Sequence, residues 1–183
     1  MATLAPSFDS FAAGFAAGHS QVVYARLAAD LDTPVSLMLK LAGARTDSFM
    51  LESVTGGEVR GRYSVVGLKP DLIWQCHGTT ARINRDARFD PDAWTPQEAK
   101  PLDALRHLLA ESRIDLPDNL PPIAAGLFGY LGYDMIRLVE HLPDINPDPL
   151  GLPDATLLRP SVVAVREGVT GAVPVESTAF TRA

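Results

Sequence analysis

The chain has 183 residues, with 16 Lys and Arg against 22 Asp and Glu and hence a formal net charge of −6 at pH 7. This length suits one well-cored domain of roughly 100 to 200 residues, so we expect a single domain over residues 1–183. The acidic balance, without any run of like charges, argues against a nucleic acid partner, because phosphate binding needs clustered cations. Cys76 is the only cysteine, which excludes an internal disulfide and suits a reducing cytoplasm.

The amino terminus carries no targeting signal that we recognise. MATLAPSFDSFAAGFAAGHS contains no Lys or Arg, whereas a signal peptide opens with positive charge. No apolar run approaches the roughly 20 residues that span a bilayer. We therefore expect a cytoplasmic protein with no membrane partner.

Two helices are predicted in the first quarter of the chain. The phenylalanines of SFDSFAAGFAAG recur at helical spacing, and Gly18 would end that helix. In DTPVSLMLKLAG, Thr33 is a candidate N-cap, Pro34 occupies the first helical position and Gly43 is the αL terminator. The predicted buried stripe of this second helix consists of Val35, Met38, Leu39 and Ala42.

The middle of the chain has the period of two that is typical of strands. SFMLESV and RYSVVG are predicted strands joined by a turn at Gly56-Gly57, and DLIWQCHGTTARINR is a predicted hairpin that turns near Gly78. Prolines punctuate a polar segment from Asp90 to Lys100, which is predicted to be a loop. A helix follows in PLDALRHLLAES, with one face formed by Leu102, Leu105, Leu108 and Leu109.

The last third mixes apolar segments with glycine and proline. The glycines of PPIAAGLFGYLGY predict bends or close backbone approach within a strand. DMIRLVEH is predicted to be helical, LPDINPDPLGLPD an extended loop, and LLRPSVVAVREGVTGAVPV a hairpin that turns between Gly168 and Gly171. Helices and strands do not alternate regularly, so we predict an α+β fold with a largely antiparallel sheet and packed helices.

The sequence contains none of the common catalytic motifs, and we predict neither a catalytic residue nor a metal site. It lacks a Gly-rich phosphate loop, His-Glu-x-x-His, Cys-x-x-Cys and Gly-x-Ser-x-Gly. Its four histidines are scattered, without a second strong ligand at metal spacing. Cys76 alternates with Trp74 along a predicted strand, which indicates a small buried residue.

Glu52 and Ser53 interrupt an apolar strand. Adjacent strand residues point to opposite faces, so one of the two should meet the core or a crevice. A buried carboxylate is costly unless it is paired, and Arg60 and Arg62 are near enough in sequence to pair with it. The residues alone leave two interpretations open, a strand end with a structural ion pair or a ligand site, and they favour the first.

Two longer blocks carry a family resemblance. FMLESVTGGEVRGRYSVVG closely resembles the Leu-Leu-Glu-Ser…Gly-Arg-Tyr-Ser signature near the amino terminus of anthranilate synthase component I. AAGLFGYLGYDMIRLVEHLP, followed by LGLPDATLLRP, is similar to that family's second amino-terminal block in order and spacing. The resemblance implies the amino-terminal, regulatory, tryptophan-binding part of that fold, without the carboxy-terminal chorismate-binding catalytic domain.

The resemblance also implies a ligand for the interrupted strand. In this family the Leu-Glu-Ser segment lines the pocket for the feedback inhibitor tryptophan, which implies Leu51, Glu52 and Ser53 as pocket residues. Arg62 matches a further pocket position. The chemistry suits the ligand, because an amino acid brings an ammonium for a carboxylate, a carboxylate for hydroxyl and cationic donors, and an indole for apolar walls.

The activity implied for the whole protein is the conversion of chorismate and ammonia to anthranilate and pyruvate. The resemblance implies Mg²⁺ bound by carboxylates of the catalytic domain, and a glutamine amidotransferase subunit, component II, as the source of ammonia. We therefore expect no cofactor in this chain, no catalysis by it alone, and self-association into a homo-oligomer through the apolar surface of a missing interface.

Two alternatives remain open from the sequence. A fragment of aminodeoxychorismate synthase component I would share the fold, although the complete Gly-Arg-Tyr-Ser block favours the anthranilate branch. A free-standing, non-enzymatic amino-acid-binding module would bind tryptophan without a second domain.

Overall fold

The structure is a computed structural model that describes residues 3–52, 63–143 and 147–167 and the backbone of 172–179. Its helices are α1 (Phe8–Ala16), α2 (Pro34–Leu41) and α3 (Pro101–Glu111), with 3-10 turns at Pro122–Ala124 and Tyr133–Leu138. Its strands are β1 (Gln21–Ala28), β2 (Phe49–Leu51), β3 (Tyr63–His77), β4 (Thr80–Asn84), β5 (Trp94–Gln97), β6 (Phe128–Leu131), β7 (Ala155–Glu167) and β8 (Ala172–Ala179).

The strands pair in the order β1-β8-β7-β3-β4-β5, with β2 added to β3 and β6 added to β7. Six of these strand pairs are antiparallel, namely β1·β8, β2·β3, β3·β4, β4·β5, β6·β7 and β7·β8. The α+β fold with a largely antiparallel sheet is therefore confirmed. No helix in the described part of the chain is both long and apolar enough to cross a membrane.

The chain divides into two compact units. Unit 1 comprises Met1–Pro70, Ile114–Ala125 and Pro160–Ala183, and unit 2 comprises Asp71–Arg113 and Gly126–Arg159. Two of the boundaries between the units lie within strands, one in β3 after Pro70 and one in β7 after Arg159. Each of these strands therefore contributes one part to each unit.

Helix α2 begins and ends where the sequence predicts. The Thr33 hydroxyl accepts from the Ser36 backbone N–H, Pro34 follows, and Gly43 has a φ of 58°. The predicted buried stripe is wrong at two of its four positions: Val35 is 52% exposed and Leu39 is 67% exposed. The helix is rotated relative to the prediction, and the residues it turns towards the unit 1 core are Leu37, Met38 and Leu41.

The start of the chain combines one prediction that is confirmed with one element that the sequence analysis missed. Helix α1 follows Ser7, whose hydroxyl accepts from the Ser10 backbone N–H at 3.4 Å, and Gly18 adopts a φ of 80° just beyond its end. Strand β1 has no counterpart among the sequence predictions. Its eight residues pair with β8 from Gln21↔Ala179 to Ala28↔Ala172.

Unit 2 has its own core, formed where α3 packs against the sheet. Trp74, Cys76 and Leu108 are fully buried there. The predicted hairpin at Gly78 is confirmed by the pairing of β3 with β4. Helix α3 is also confirmed, although Leu109 is 51% exposed and does not share the buried face of Leu108.

One prediction about local structure is wrong, and the structure gives two others a more specific form. The strands predicted in RYSVVG and DLIWQCH are confirmed from Tyr63 onwards, and they form one continuous strand, β3, within which Lys69 has a φ of 52°. The predicted loop from Asp90 to Lys100 contains β5, whose Pro96 is tolerated on a strand at the end of the pairing order. The helical segment predicted in DMIRLVEH is present as a 3-10 helix over Tyr133–Leu138.

Cys76 is the small buried residue that the alternation predicts. Its thiol contacts the Gly78 carbonyl oxygen at 3.4 Å, and its side chain belongs to the unit 2 core. Burial, followed by the negative charge of Asp154, raises the pKa of the Cys76 thiol to about 11. The thiol is therefore protonated at neutral pH, which gives it the properties of a packing residue and not of a nucleophile.

Candidate ligand site at strand β2

Strand β2 carries the first of the predicted pocket residues. It adds to the edge of β3 in unit 1, and directly opposed residues of an antiparallel pair lie on the same face. The three pairs in this register are Phe49↔Gly67, Met50↔Val66 and Leu51↔Val65.

One face of β2 is fixed by the unit 1 core. Met50 packs against the core cluster that contains Leu37 of α2 and Val66 and Leu68 of β3. Because side chains alternate along a strand, Phe49 and Leu51 lie on the other face. The short strand is thus held on one side by apolar contacts with α2.

The end of β2 is open to solvent. Leu51 is 49% exposed although its partner Val65 is fully buried, and Glu52, the next residue, is exposed. In the described part of the chain no ion pair involves Glu52. The structure thus brings an apolar side chain and a carboxylate together at an accessible strand end, which is a suitable pair for an ammonium-bearing apolar ligand.

The remaining predicted pocket residues, Ser53 and Arg62, lie outside the described residues. So do Arg60, the other predicted partner of Glu52, and the Gly56-Gly57 turn. Their membership of the site stays a prediction.

A charged network holds the start of α2, the helix that supports β2. The Ser36 hydroxyl donates to Asp32 Oδ1 at 2.8 Å, and Lys40 Nζ donates to the same oxygen at 2.5 Å. The hydrogen bond from Lys40, followed by that from Ser36, lowers the pKa of Asp32. Arg166 of β7 donates through Nε to the Asp32 carbonyl oxygen at 3.0 Å, which ties the helix start to the sheet.

A contact that sequence reasoning missed lies on the other face of β2. Gly67 is buried, and a Cβ built on it would overlap Cε1 and Cζ of Phe49 and lie 3.1 Å from Cε2. The Phe49 ring therefore occupies the space of the side chain that Gly67 lacks. The sequence contains a signal for this contact, because a phenylalanine and a glycine lie on the two predicted strands of one hairpin. The signal can be read only when the register of the two strands, which places Phe49 opposite Gly67, is known.

The described residues contain no group of three or more His, Cys, Asp and Glu side chains arranged to hold a metal ion.

Unit 2 contains a cavity of about 460 Å³ whose lining includes Lys100, Arg106 and Arg137. Two of these cations are already paired on their own helices. Arg106 donates to Asp103 at 2.6 Å and Arg137 to Asp134 at 2.7 Å. Nothing in the cavity distinguishes a ligand site from a solvated surface, and none of the predicted pocket residues lines it.

Comparison with known proteins first identifies the fold. The chain is similar to the crystal structure of anthranilate synthase component I from Streptococcus pneumoniae TIGR4, with a TM-score of 0.50 and 21% identity over 80% of this chain and 29% of that chain. At this identity the likeness concerns the α+β fold alone. No family model matches the chain.

Sequence comparison then identifies the relatives. The chain is 75% identical over 174 residues to anthranilate synthase component 1 of Cereibacter sphaeroides, which covers 95% of this chain and 35% of that protein. It is 39% identical over 151 residues to the protein of the same name from Pseudomonas aeruginosa, covering 79% of this chain and 29% of that protein. The match to the Thermus thermophilus protein is 40% identical over 137 residues, 75% of this chain and 28% of that protein.

This chain is a relative of anthranilate synthase component I, and the resemblance found in its sequence blocks is confirmed. It spans about a third of the length of the curated relatives it matches, which are covered to 35%, 29% and 28%.

Proposed function

We propose that this chain is the amino-terminal portion of an anthranilate synthase component I, the subunit that converts chorismate and ammonia to anthranilate and pyruvate in tryptophan biosynthesis. The observation that carries the proposal is the 75% identity over 95% of the chain with the Cereibacter sphaeroides protein. A component II amidotransferase subunit would supply the ammonia from glutamine. The catalytic residues and the magnesium ligands would lie in the part of the enzyme that this chain does not contain, so the chain alone would be inactive.

The proposed contribution of this portion is regulatory. Leu51, Glu52, Ser53 and Arg62 would form one side of the feedback site for tryptophan. Two features of the described residues support this role: Leu51 offers an apolar wall that its own unit leaves half exposed, and Glu52 offers an accessible carboxylate for the ligand's ammonium.

The test is inhibition by tryptophan in a full-length enzyme. In a chimera, this chain replaces the matching segment of the Cereibacter sphaeroides relative, and anthranilate formation is followed with increasing tryptophan. Glu52→Gln and Ser53→Ala are each expected to raise the half-inhibiting tryptophan concentration about tenfold or more, which corresponds to a loss of ~1.4 kcal/mol in binding free energy. The kcat and the KM for chorismate should stay within about twofold, because these residues would not contact chorismate.

Glu98→Gln is the matched control, since Glu98 is also exposed but belongs to unit 2. Unchanged inhibition in both site variants would contradict the proposed site.

Calorimetric titration of the 183-residue chain with tryptophan distinguishes the proposed function from the alternative one. Saturable binding that Ser53→Ala abolishes would indicate a free-standing amino-acid-binding module. Anthranilate formation by the 183-residue chain alone would contradict its proposed inactivity.

We further propose that the isolated chain self-associates through unit 2. Its second sequence block leaves large apolar side chains in solvent, and Tyr133 is 85% exposed. Large apolar side chains mark interaction surfaces where they lie together in a patch. Among the described residues from 130 to 152, the exposed large apolar side chains are Tyr130, Leu131, Tyr133, Val139, Leu150 and Leu152.

In light scattering coupled to size exclusion, the chain should form oligomers whose proportion rises with concentration. The double variant Leu131→Lys/Tyr133→Ser is expected to shift it towards the monomer. Phe89→Lys changes an apolar residue elsewhere in unit 2 whose exposure, 72%, lies between those of Leu131 and Tyr133, and it should leave the oligomers intact. A monomer at the highest soluble concentration would contradict this proposal.

A further inference from the structure

We propose that Gly67 and Phe49 are positioning residues of the tryptophan site: the Phe49 ring, seated on Gly67, sets the place of the strand end that presents Leu51 and Glu52. The inference rests on the proposed function, because it concerns the regulation of the same site. Neither residue belongs to the predicted pocket.

The contact depends on space and not on an unusual backbone. Gly67 is buried within β3 and is not among the glycines with a positive φ. What it provides is the absence of a side chain, since its Cβ would overlap two ring atoms of Phe49. Any residue larger than glycine at this position has to move the ring.

Within the described residues, β2 is a short strand. It is three residues long there and pairs with β3 through Phe49, Met50 and Leu51. Met50 holds the strand from the α2 side, and Phe49 on Gly67 holds it from the opposite side. Glu52 follows directly, so a displacement of the Phe49 ring that shifts the strand also shifts the carboxylate.

The direction of the effect follows from this geometry. A methyl group at position 67 forces the ring either to rotate towards solvent or to push β2 away from β3. Truncation of Phe49 to Ala removes the anchor and leaves the strand held by Met50 on one side. Either change removes the seat of the Phe49 ring on Gly67, so the strand end that carries Leu51 and Glu52 loses its fixed position while the chemistry of these two residues is unaltered.

The experiment uses the full-length chimera described above. Gly67→Ala and Phe49→Ala are each expected to raise the half-inhibiting tryptophan concentration about tenfold, with kcat and the KM for chorismate within about twofold of the parent. Phe89→Ala is the matched control, because it removes an exposed phenylalanine of unit 2 and should leave inhibition unchanged.

The double variant Gly67→Ala/Phe49→Leu tests for the direct contact. Leucine ends short of the overlapping ring atoms, so the added methyl group can take their place. We expect this double variant to recover inhibition to within about threefold of the parent, whereas independent effects of Gly67→Ala and of Phe49→Leu, measured as single variants, would add. Thermal unfolding of each chimera verifies that the single variants are folded.

The outcomes separate this inference from the proposed function. If Glu52→Gln and Ser53→Ala weaken inhibition while Gly67→Ala and Phe49→Ala do not, the positioning role is wrong and the tryptophan site stands. Additive losses in the double variant would also overturn the positioning role. If the Glu52 and Ser53 variants are inhibited normally, the proposed site itself is wrong.

Discussion

Replacement of Gly129 by alanine is expected to destabilise the chain by about 3 kcal/mol or more. Gly129 lies in β6 with a φ of 155°, a conformation that L side chains rarely adopt. A Cβ at this position would overlap the carbonyl oxygen of Thr156 on β7 and lie 3.0 Å from Leu157 Cα. These are backbone atoms that cannot rotate away, so backbone strain of ~1–3 kcal/mol is added to an overpacking cost of similar size.

Gly126→Ala is the matched control for this prediction. Gly126 has a φ of 148°, but nothing lies within 4 Å of its hypothetical Cβ. Only the backbone strain applies there, and the expected loss is about 1–2 kcal/mol. Urea unfolding followed by circular dichroism measures both values, and the difference isolates the contact with Thr156. Equal losses in the two variants would show that β6 and β7 separate enough to admit a methyl group.

Signals that act within a few residues are well encoded in this sequence. Thr33 and Pro34 predict the start of α2, and Gly43 predicts its end, because capping and αL geometry depend on local backbone alone. The glycine-broken block likewise predicts the close backbone approach that the structure shows at Gly129 and at Gly132.

Features that depend on distant partners could not be predicted in the same way. Val35 and Leu39 fit a helical apolar stripe as well as Leu37 does, and only the position of the sheet decides which face α2 buries. Pro96 of β5 indicates a loop when only the local sequence is considered. It is compatible with a strand because β5 lies at the end of the pairing order, which the local sequence does not reveal. Strand β3 continues through Pro70, and Lys69 adopts a φ of 52° within it, which no local pattern predicts.

The candidate site shows the same division. The sequence resemblance indicates Leu51 and Glu52, and the structure places both at an exposed strand end. Ser53 and Arg62 stay predictions. The support of that strand end by Phe49 on Gly67 depends on the β2–β3 register, which the sequence alone does not fix.

Asp71→Ala is expected to destabilise the chain by about 2–4 kcal/mol by leaving a nearly buried cation without its carboxylate. In unit 2, Arg159 donates through Nε and Nη2 to the two oxygens of Asp71 at 2.9 and 2.8 Å, and through Nη1 to the Ser112 hydroxyl at 3.1 Å. The Arg159 side chain is 11% exposed and that of Asp71 32% exposed, so removal of the carboxylate costs more than loss of a surface pair.

Asp103→Ala breaks the exposed pair between Asp103 and Arg106 and serves as the matched control, with an expected loss of no more than about 0.5 kcal/mol. The double variant Asp71→Ala/Arg159→Met should be more stable than Asp71→Ala alone, because it removes the nearly buried guanidinium together with the carboxylate that it pairs with. The free energies of unfolding come from urea titration. If Asp71→Ala costs no more than Asp103→Ala, water must reach Arg159 as freely as it reaches the surface, and the bidentate pair contributes nothing to the stability of unit 2.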